Sequence, residues 1–440
     1  MLADPARAST AILRDASVTV LESKRMRTSK ITHLLLLFIA SLSIRVLGIH
    51  LETIFGIGGH VAFRYTDIAR NIVAGNGFSD APGLANTFEP PVYMYLLSAF
   101  FTLFGENLTV VKIGQAVLDS LTACTLFFIT RTALSVNAAY LAAILYALYP
   151  IAVYSVADIA PETTFSFLLS LALLTLALAL RSGHVRHYLA SGLLLGCATL
   201  TRTTTLYFVP FLVLFLVVVR AGRKRVVPLV LVTLSAFVLT IAPWTVRNYV
   251  VSKRFIPVAV MGYGEVFLQG SSEEFLTIAD KQQNFPAYFE RLRAKNLAPP
   301  VHPTPKEWND YATRAGWERY KEKWEDGGIL SLAKFFAYKF ARLWYATESG
   351  ANHPLILLVN LPVLLLSLMG LIVAIRSRIP PDAQWPIWAV VLFFIAVHIV
   401  TLPMQRYMAP VMPYLLAYAA LFLTWLASQR QARRAHREVG

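Results

Sequence analysis

The sequence predicts an all-α polytopic membrane protein of about ten transmembrane helices, and three observations predict it. Hydrophobic residues make up 56% of the 440-residue chain, and the mean hydropathy is +0.56. Only 15% of residues are charged. Apolar runs recur at about 31–50, 108–132, 137–154, 162–180, 187–200, 205–219, 226–246, 355–375, 383–402 and 409–428, each long or apolar enough to be read as a span. The net charge of +15 comes from short basic clusters between these runs, which is the positive-inside pattern rather than a nucleic-acid surface. Nucleic acid is therefore not an expected partner. Cys124 and Cys197 lie inside apolar runs and do not form a disulfide framework.

Residues 1–30 are polar and basic, lack a small-residue cleavage site, and read as a cytosolic tail. Residues 31–246 form a core of seven spans that includes a first external loop, 51–107. In that loop Tyr65, Ile68, Ala69, Ile72 and Val73 recur at helical spacing, stopped by Gly75 and Gly77. Glu89-Pro90-Pro91 then breaks the chain before Val92–Gly105, whose roughly 14 residues fall short of the ~20 a crossing needs. This run is expected to lie as a helix at the membrane surface. Charge supports the assignment: nineteen Lys and Arg then fall in the intracellular segments against four in the short external loops, whereas a crossing would move thirteen of the nineteen outside. Arg186 and the Arg220–Arg225 cluster both belong in the cytosol, so Tyr188–Val219 divides into a hairpin.

Residues 247–353 form a large external loop with 15 Lys or Arg and 12 Asp or Glu. Its end, Ile329–Tyr345, repeats Leu332, Phe335, Phe336, Phe340 and Leu343 around Lys334, Lys339 and Arg342, an amphipathic interfacial helix. Residues 354–428 supply three further spans, and 429–440 is a basic cytosolic tail.

Acidic residues near the external face are few: Asp67, Asp80 and Glu89 in the first loop, then Asp158 and Glu162 in the second. An ionisable group beside the bilayer is costly unless used or paired. Asp67 is the leading candidate for a base, on a short helix that the Gly and Pro breaks fold back toward the spans, although Arg64 and Arg70 could also hold it in a surface pair. Glu162 is expected to line the same cavity; otherwise it is a first-turn carboxylate at a helix N-terminus. Asp158, four residues earlier, would share its face. Arg202, Arg247 and Arg406 stand at the outer ends of spans, where a guanidinium can grip two phosphate oxygens or snorkel to headgroups. Lys112 and Asp119 read as intramembrane polar contacts, and His398 as a core histidine.

Several motifs then resemble one family. Tyr65-x-x-Ile-Ala-x-Asn-Ile-x-x-Gly-x-Gly-Phe-Ser, Pro90-Pro91-Val-Tyr, Tyr149-Pro150, Pro161-Glu162, Gly196–Arg202, Pro243-Trp244-Thr-Val-Arg247-Asn248-Tyr249 and Arg406-Tyr407-x-x-Pro410 look like the integral-membrane GT-C glycosyltransferases of the ArnT-like and protein-mannosyltransferase-like group. The resemblance implies transfer of a sugar from a polyprenyl-phosphate carrier to a lipid, glycan or protein acceptor. It also implies a bacterial inner (plasma) membrane location, with the active site on the external or periplasmic side. Arg406, Arg202, Arg247 and Tyr407 would hold the donor phosphate. Members usually carry an acid three or four positions before the loop tyrosine; here Val61 and Ala62 stand there, leaving Asp67, His60 or Glu89 to substitute.

The chemistry needs these residue types. The leaving group is a phosphate monoester dianion, so arginines lower the barrier, while a carboxylate positions the acceptor hydroxyl or amine and takes its proton. One displacement gives inversion. No Asp-x-Asp motif occurs in the external loops, so no metal or other cofactor is expected, with a divalent metal left open. The competing reading is a transporter or non-catalytic lipid-binding protein, whose broken helices would create a polar site at the midplane. The polar candidates gather at one face instead.

Overall fold

The computed structural model describes residues 31–54, 63–219, 226–260, 263–273, 276, 287, 290, 293, 304–347, 350 and 352–439. His60, Val61 and Ala62 lie outside the described residues.

The chain is an integral multi-pass membrane protein built from helices, with one small antiparallel ribbon, β1 (Ser79–Ala81) and β2 (Leu84–Ala85), in the first loop. Each of the ten apolar runs is helical. Helices α1 (Ile31–Ile54), α4 (Leu108–Ala133), α7 (Glu162–Ser182), α10 (Val226–Ser252), α13 (His353–Arg376) and α14 (Pro381–Val400) contain six of the seven described stretches long and apolar enough to span, and the seventh, Gln405–His436, runs through a short turn into α16 (Met412–Val439). The other three runs are shorter helices. The run 137–154 is divided because Pro150 lacks an N–H and disfavours a helical residue before it, so Tyr149 is extended (φ −68°, ψ 113°) between α5 (Val136–Ala147) and α6 (Pro150–Ser155). The hairpin read over 188–219 is α8 (Val185–Thr199) and α9 (Thr204–Val219), of 15 and 16 residues.

Small residues bring backbones together. A Cβ on Gly192 of α8 would lie 2.3 Å from the Thr233 carbonyl oxygen of α10, and one on Gly370 of α13 would lie 1.8 Å from that of Tyr418 on α16. Arg45 of α1 is fully buried and ion-pairs with Asp119 of α4; it also donates to Ser41 Oγ (2.8 Å) and the Ala147 carbonyl (3.1 Å). Tyr146 Oη donates to the other Asp119 oxygen at 2.6 Å. The pair is thus fully hydrogen-bonded, the condition under which buried charges are tolerated. Lys112 instead pairs with Glu52 (2.7 Å), so the two intramembrane polar contacts have separate partners.

In the first loop α2 (Phe63–Val73) gives way to left-handed Gly75 (φ 83°) and Gly77 (φ 69°), as its sequence predicts. Helix α3 (Pro91–Phe104) has 14 residues and starts at the double proline. The segment between α10 and α13 contributes α11 (Tyr263–Gly270) and α12 (Pro305–Arg342), the latter opened by a Thr304–Glu307 capping box and interrupted at Gly327-Gly328. One expectation is corrected here. Phe335 and Leu343 are buried as the amphipathic pattern requires, but so are Lys339 and Arg342, which that pattern places on the polar side. Lys339 Nζ finds three oxygens, on Gly270 (2.6 Å), Tyr320 (2.9 Å) and Val400 (3.0 Å).

Candidate active site

A cavity of about 330 Å³ opens where the first loop, the Pro161 turn, the α8–α9 junction, α11 and the segment after α14 meet. That volume is in the range of small-molecule sites, ~300–1,000 Å³. Asn86 sets one wall. Its side-chain oxygen accepts from the backbone N–H groups of Phe88 (2.8 Å) and Glu89 (3.0 Å), and its amide donates to Asp80 (2.8 Å). Val92 N–H then donates to the Leu200 carbonyl (2.9 Å), docking the start of α3 on the α8–α9 junction. Together these turn Glu89 inward, leaving it 3% exposed.

Two carboxylates line this space, each beside a guanidinium group. Glu162 opens α7 after Pro161 and accepts from Arg202 at 2.9 Å. Glu89 Oε1 lies 3.6 Å from Arg64 Nε. In each case the second oxygen, Oε2, is buried without a hydrogen-bond partner in the protein. Burial pushes the Glu89 carboxyl up to about 7, against a lowering by Arg64 and with a further lift from Asp80. Tyr65 lies among all these charges: burial raises its phenol, Glu89 and Glu162 raise it further, and Arg202 and Arg406 oppose them. It is a neutral hydrogen-bonding group at ordinary pH.

Arg406, in α15 (Gln405–Met408), is exposed and donates to Tyr407 Oη at 3.2 Å. The Tyr407 ring has the Arg406 and Arg202 guanidinium carbons 5.1 and 5.3 Å from its centre, and His398 stacks on it at 4.8 Å. The tyrosine thereby gathers both cations on one side of the cavity.

Of the residues anticipated from sequence, Glu162, Arg202, Arg406 and Tyr407 all line the cavity. Asp67 does not. It is exposed and ion-paired with Arg70, which also holds Glu106. Asp158 lies beside the cavity but is not among its lining residues, its carbonyl accepting from Gln115 (2.7 Å). Arg247 is elsewhere too, donating to the Asn86 and Phe78 carbonyls and resting over Trp244. It braces the first loop from behind, sharing the Phe78 carbonyl with the Asn86 N–H (3.1 Å). His60 is outside the described residues. Glu89, held only in reserve by the sequence reading, becomes the best-placed acid. Glu265, Gln269, Tyr263 and His398 also line the space and were not anticipated as site residues; His398 reads from sequence as a core histidine. Among the described residues no group of three or more His, Cys, Asp or Glu side chains is placed to hold a metal ion.

Residues 88–246 match the family model described as Dolichyl-phosphate-mannose-protein mannosyltransferase. That segment contains Glu89, Pro90-Pro91, Tyr149-Pro150, Pro161-Glu162 and Gly196–Arg202, so the resemblance carried by those motifs is met. No curated protein matches the chain in a sequence comparison. Among solved structures, the archaeal oligosaccharyltransferase AglB from Archaeoglobus fulgidus, in complex with an inhibitory peptide and a dolichol-phosphate, matches with a TM-score of 0.57 at 15% identity, over 93% of this chain and 52% of AglB. The chain has that fold and spans about half of AglB's length. ArnT from Cupriavidus metallidurans bound to undecaprenyl phosphate matches with a TM-score of 0.41 at 17% identity, over 88% of this chain and 77% of ArnT.

Proposed function

We propose that the protein is an inverting membrane glycosyltransferase that passes a sugar from a polyprenyl-phosphate carrier to an acceptor hydroxyl or amine. The observation that carries the reading is the opposition of a buried carboxylate oxygen without a protein partner, Glu89 Oε2, to the Arg406–Tyr407–Arg202 cluster within one cavity. The matched family and the AglB fold, seen with a dolichol-phosphate, support a phosphate-linked lipid as donor.

Arg406, exposed and bidentate by nature, takes the carrier phosphate, with Arg202 beside it. Glu162 holds Arg202 in register through the 2.9 Å pair. The acceptor enters on the Glu89 side. Its O–H or N–H hydrogen-bonds to Glu89 Oε2, its lone pair attacks the anomeric carbon, and the bond from that carbon to the phosphate oxygen breaks on the opposite face. The phosphate leaves with the bonding electrons as a monoester dianion, stabilised by the guanidinium groups, while Glu89 receives the proton. The arginines supply the positive charge at the leaving phosphate. In this reading the site faces the external or periplasmic side of a bacterial inner membrane, opposite the basic loops.

The test compares lipid-linked sugars in cells lacking and regaining the protein, by mass spectrometry, together with polyprenyl-phosphate binding to the purified protein. A carrier-linked sugar that accumulates without the protein and is consumed on its return is the expected result. Unchanged lipid-linked sugars and no carrier binding would defeat the proposal.

A further inference from the structure

Helix α11 brings the external segment into the cavity with its own polar pair. Gln269 Nε2 donates to Glu265 Oε1 at 2.9 Å, one helical turn apart, and both residues line the cavity. Gln269 is 7% exposed, while Glu265 is half-buried and, among the described residues, forms no ion pair. The helix is held tightly at both ends. Asn309 Oδ1 accepts from Gly264 N–H at 2.7 Å, and a Cβ on Gly264 would come 2.1 Å from the Asn309 carbonyl oxygen. At the other end Lys339 Nζ donates to the Gly270 carbonyl at 2.6 Å, and a Cβ on Gly270 would come 2.1 Å from that of Thr401. A pair fixed this firmly is built to recognise, not merely to be solvated.

We propose that Glu265 and Gln269 recognise the transferred sugar and select a neutral or amino sugar over a uronic acid. The inference rests on the glycosyltransferase reading. The pair offers a carboxylate oxygen that accepts, and an amide that both accepts and donates, at a spacing suited to neighbouring hydroxyls. Positive charge in the cavity is concentrated at Arg202 and Arg406, where the phosphate is bound. A second carboxylate, on the sugar, would meet Glu265, which among the described residues has no cation paired with it. Tyr263, two residues before Glu265 and also lining the cavity, has its ring 5.5 Å from that of Tyr207 and adds an apolar strip for the C–H face of a sugar ring.

The experiment measures binding of three probes to the purified full-length protein: undecaprenyl phosphate, its mannosyl ester and its glucuronosyl ester. Wild-type protein should bind the mannosyl ester on the order of tenfold more tightly than the glucuronosyl ester. Glu265→Gln, which keeps shape and removes charge, should erase most of that preference and leave bare carrier binding unchanged. Gln269→Leu should weaken both sugar esters against the bare carrier. A wild-type protein that binds both esters alike overturns the inference whatever the variants do, as does a Glu265→Gln protein that keeps the preference. In either case normal binding of bare carrier leaves the phosphate site standing. Failure of bare carrier to bind wild-type protein removes the glycosyltransferase reading itself.

Discussion

Replacing Glu89 with glutamine is the most direct challenge to the proposed mechanism. The amide keeps the shape and the Asn86 contacts to the backbone of residues 88 and 89, but it cannot take a proton. Turnover should fall on the order of 10²- to 10⁴-fold with carrier binding retained. The pH dependence gives the more discriminating number. With Glu89 at about 7, the carboxylate fraction is roughly one tenth at pH 6 and nine tenths at pH 8, so wild-type turnover should rise about tenfold across that interval and then level off. Losing Arg64, 3.6 Å from Oε1, removes the main influence that lowers this value. Arg64→Gln should move the rise upward by about one pH unit, the low end for an opposite charge at that distance because Arg64 is half exposed. Stability carries the same signature with its own sign. A carboxyl raised by burial from 4.5 to about 7 stabilises the fold fully below about 4.5, and that contribution is lost as pH climbs through 7, up to about 3 kcal/mol. Glu89→Gln should flatten that part of the unfolding profile. Turnover of Glu89→Gln within threefold of wild type, with an unchanged acid limb, would refute the assignment.

Four other outcomes follow from the geometry. Arg406→Ala should weaken binding of the carrier phosphate by about 10- to 150-fold, and Arg406→Lys should recover only part of it, measured by titration with undecaprenyl phosphate. Asp67→Asn should leave turnover near normal and cost less than about 1 kcal/mol in thermal stability, since Arg70 keeps Glu106 as a partner; a hundredfold drop in turnover would return the base to α2. Arg247→Ala removes charged bonds to two carbonyls and should lower stability by about 1.5–3 kcal/mol while loosening the wall that carries Glu89, seen as faster amide exchange at residues 78–89. Leu84→Cys, at an exposed ribbon position, should react with an impermeant thiol reagent from the external side, whereas labelling only from the cytosol would invert the proposed sidedness.

The helices were legible because apolar runs and breakers act locally. Gly75, Gly77 and the Pro161-Glu162 start are short-range signals, and each stands where the chain turns. What was not legible depends on partners far away in the sequence. Asp119 finds Arg45 74 residues earlier, and Lys339, marked as polar by its helix, is buried because Gly270 and Val400 bring carbonyl oxygens to it. The arginine side of the site was readable for a different reason: a guanidinium at the end of an apolar span has few uses, so Arg202 and Arg406 stood out. Arg247 stood out equally and proved to be a brace, because the carbonyls it serves belong to a loop more than 150 residues away in sequence.

The choice between Asp67 and Glu89 shows where periodicity alone could have gone further. Tyr65, Ile68, Ala69 and Ile72 mark the inward face of α2, and Ile68 and Ala69 are fully buried. At roughly 100° per residue these four cluster around one direction, and Asp67 falls nearly opposite. The pattern that identified the helix therefore already turned Asp67 outward, toward Arg70. Glu89 has no such pattern, since it precedes two prolines in a segment without periodic structure. Its inward orientation comes from the Asn86 side chain three residues before it and from Val92 bonding to Leu200, and only the second of these is long-range. An asparagine three residues before an acid, followed by Pro-Pro, is the short-range half of the signal. Its meaning depends on whether the chain after the prolines has a wall to dock on, and here α8 and α9 supply it.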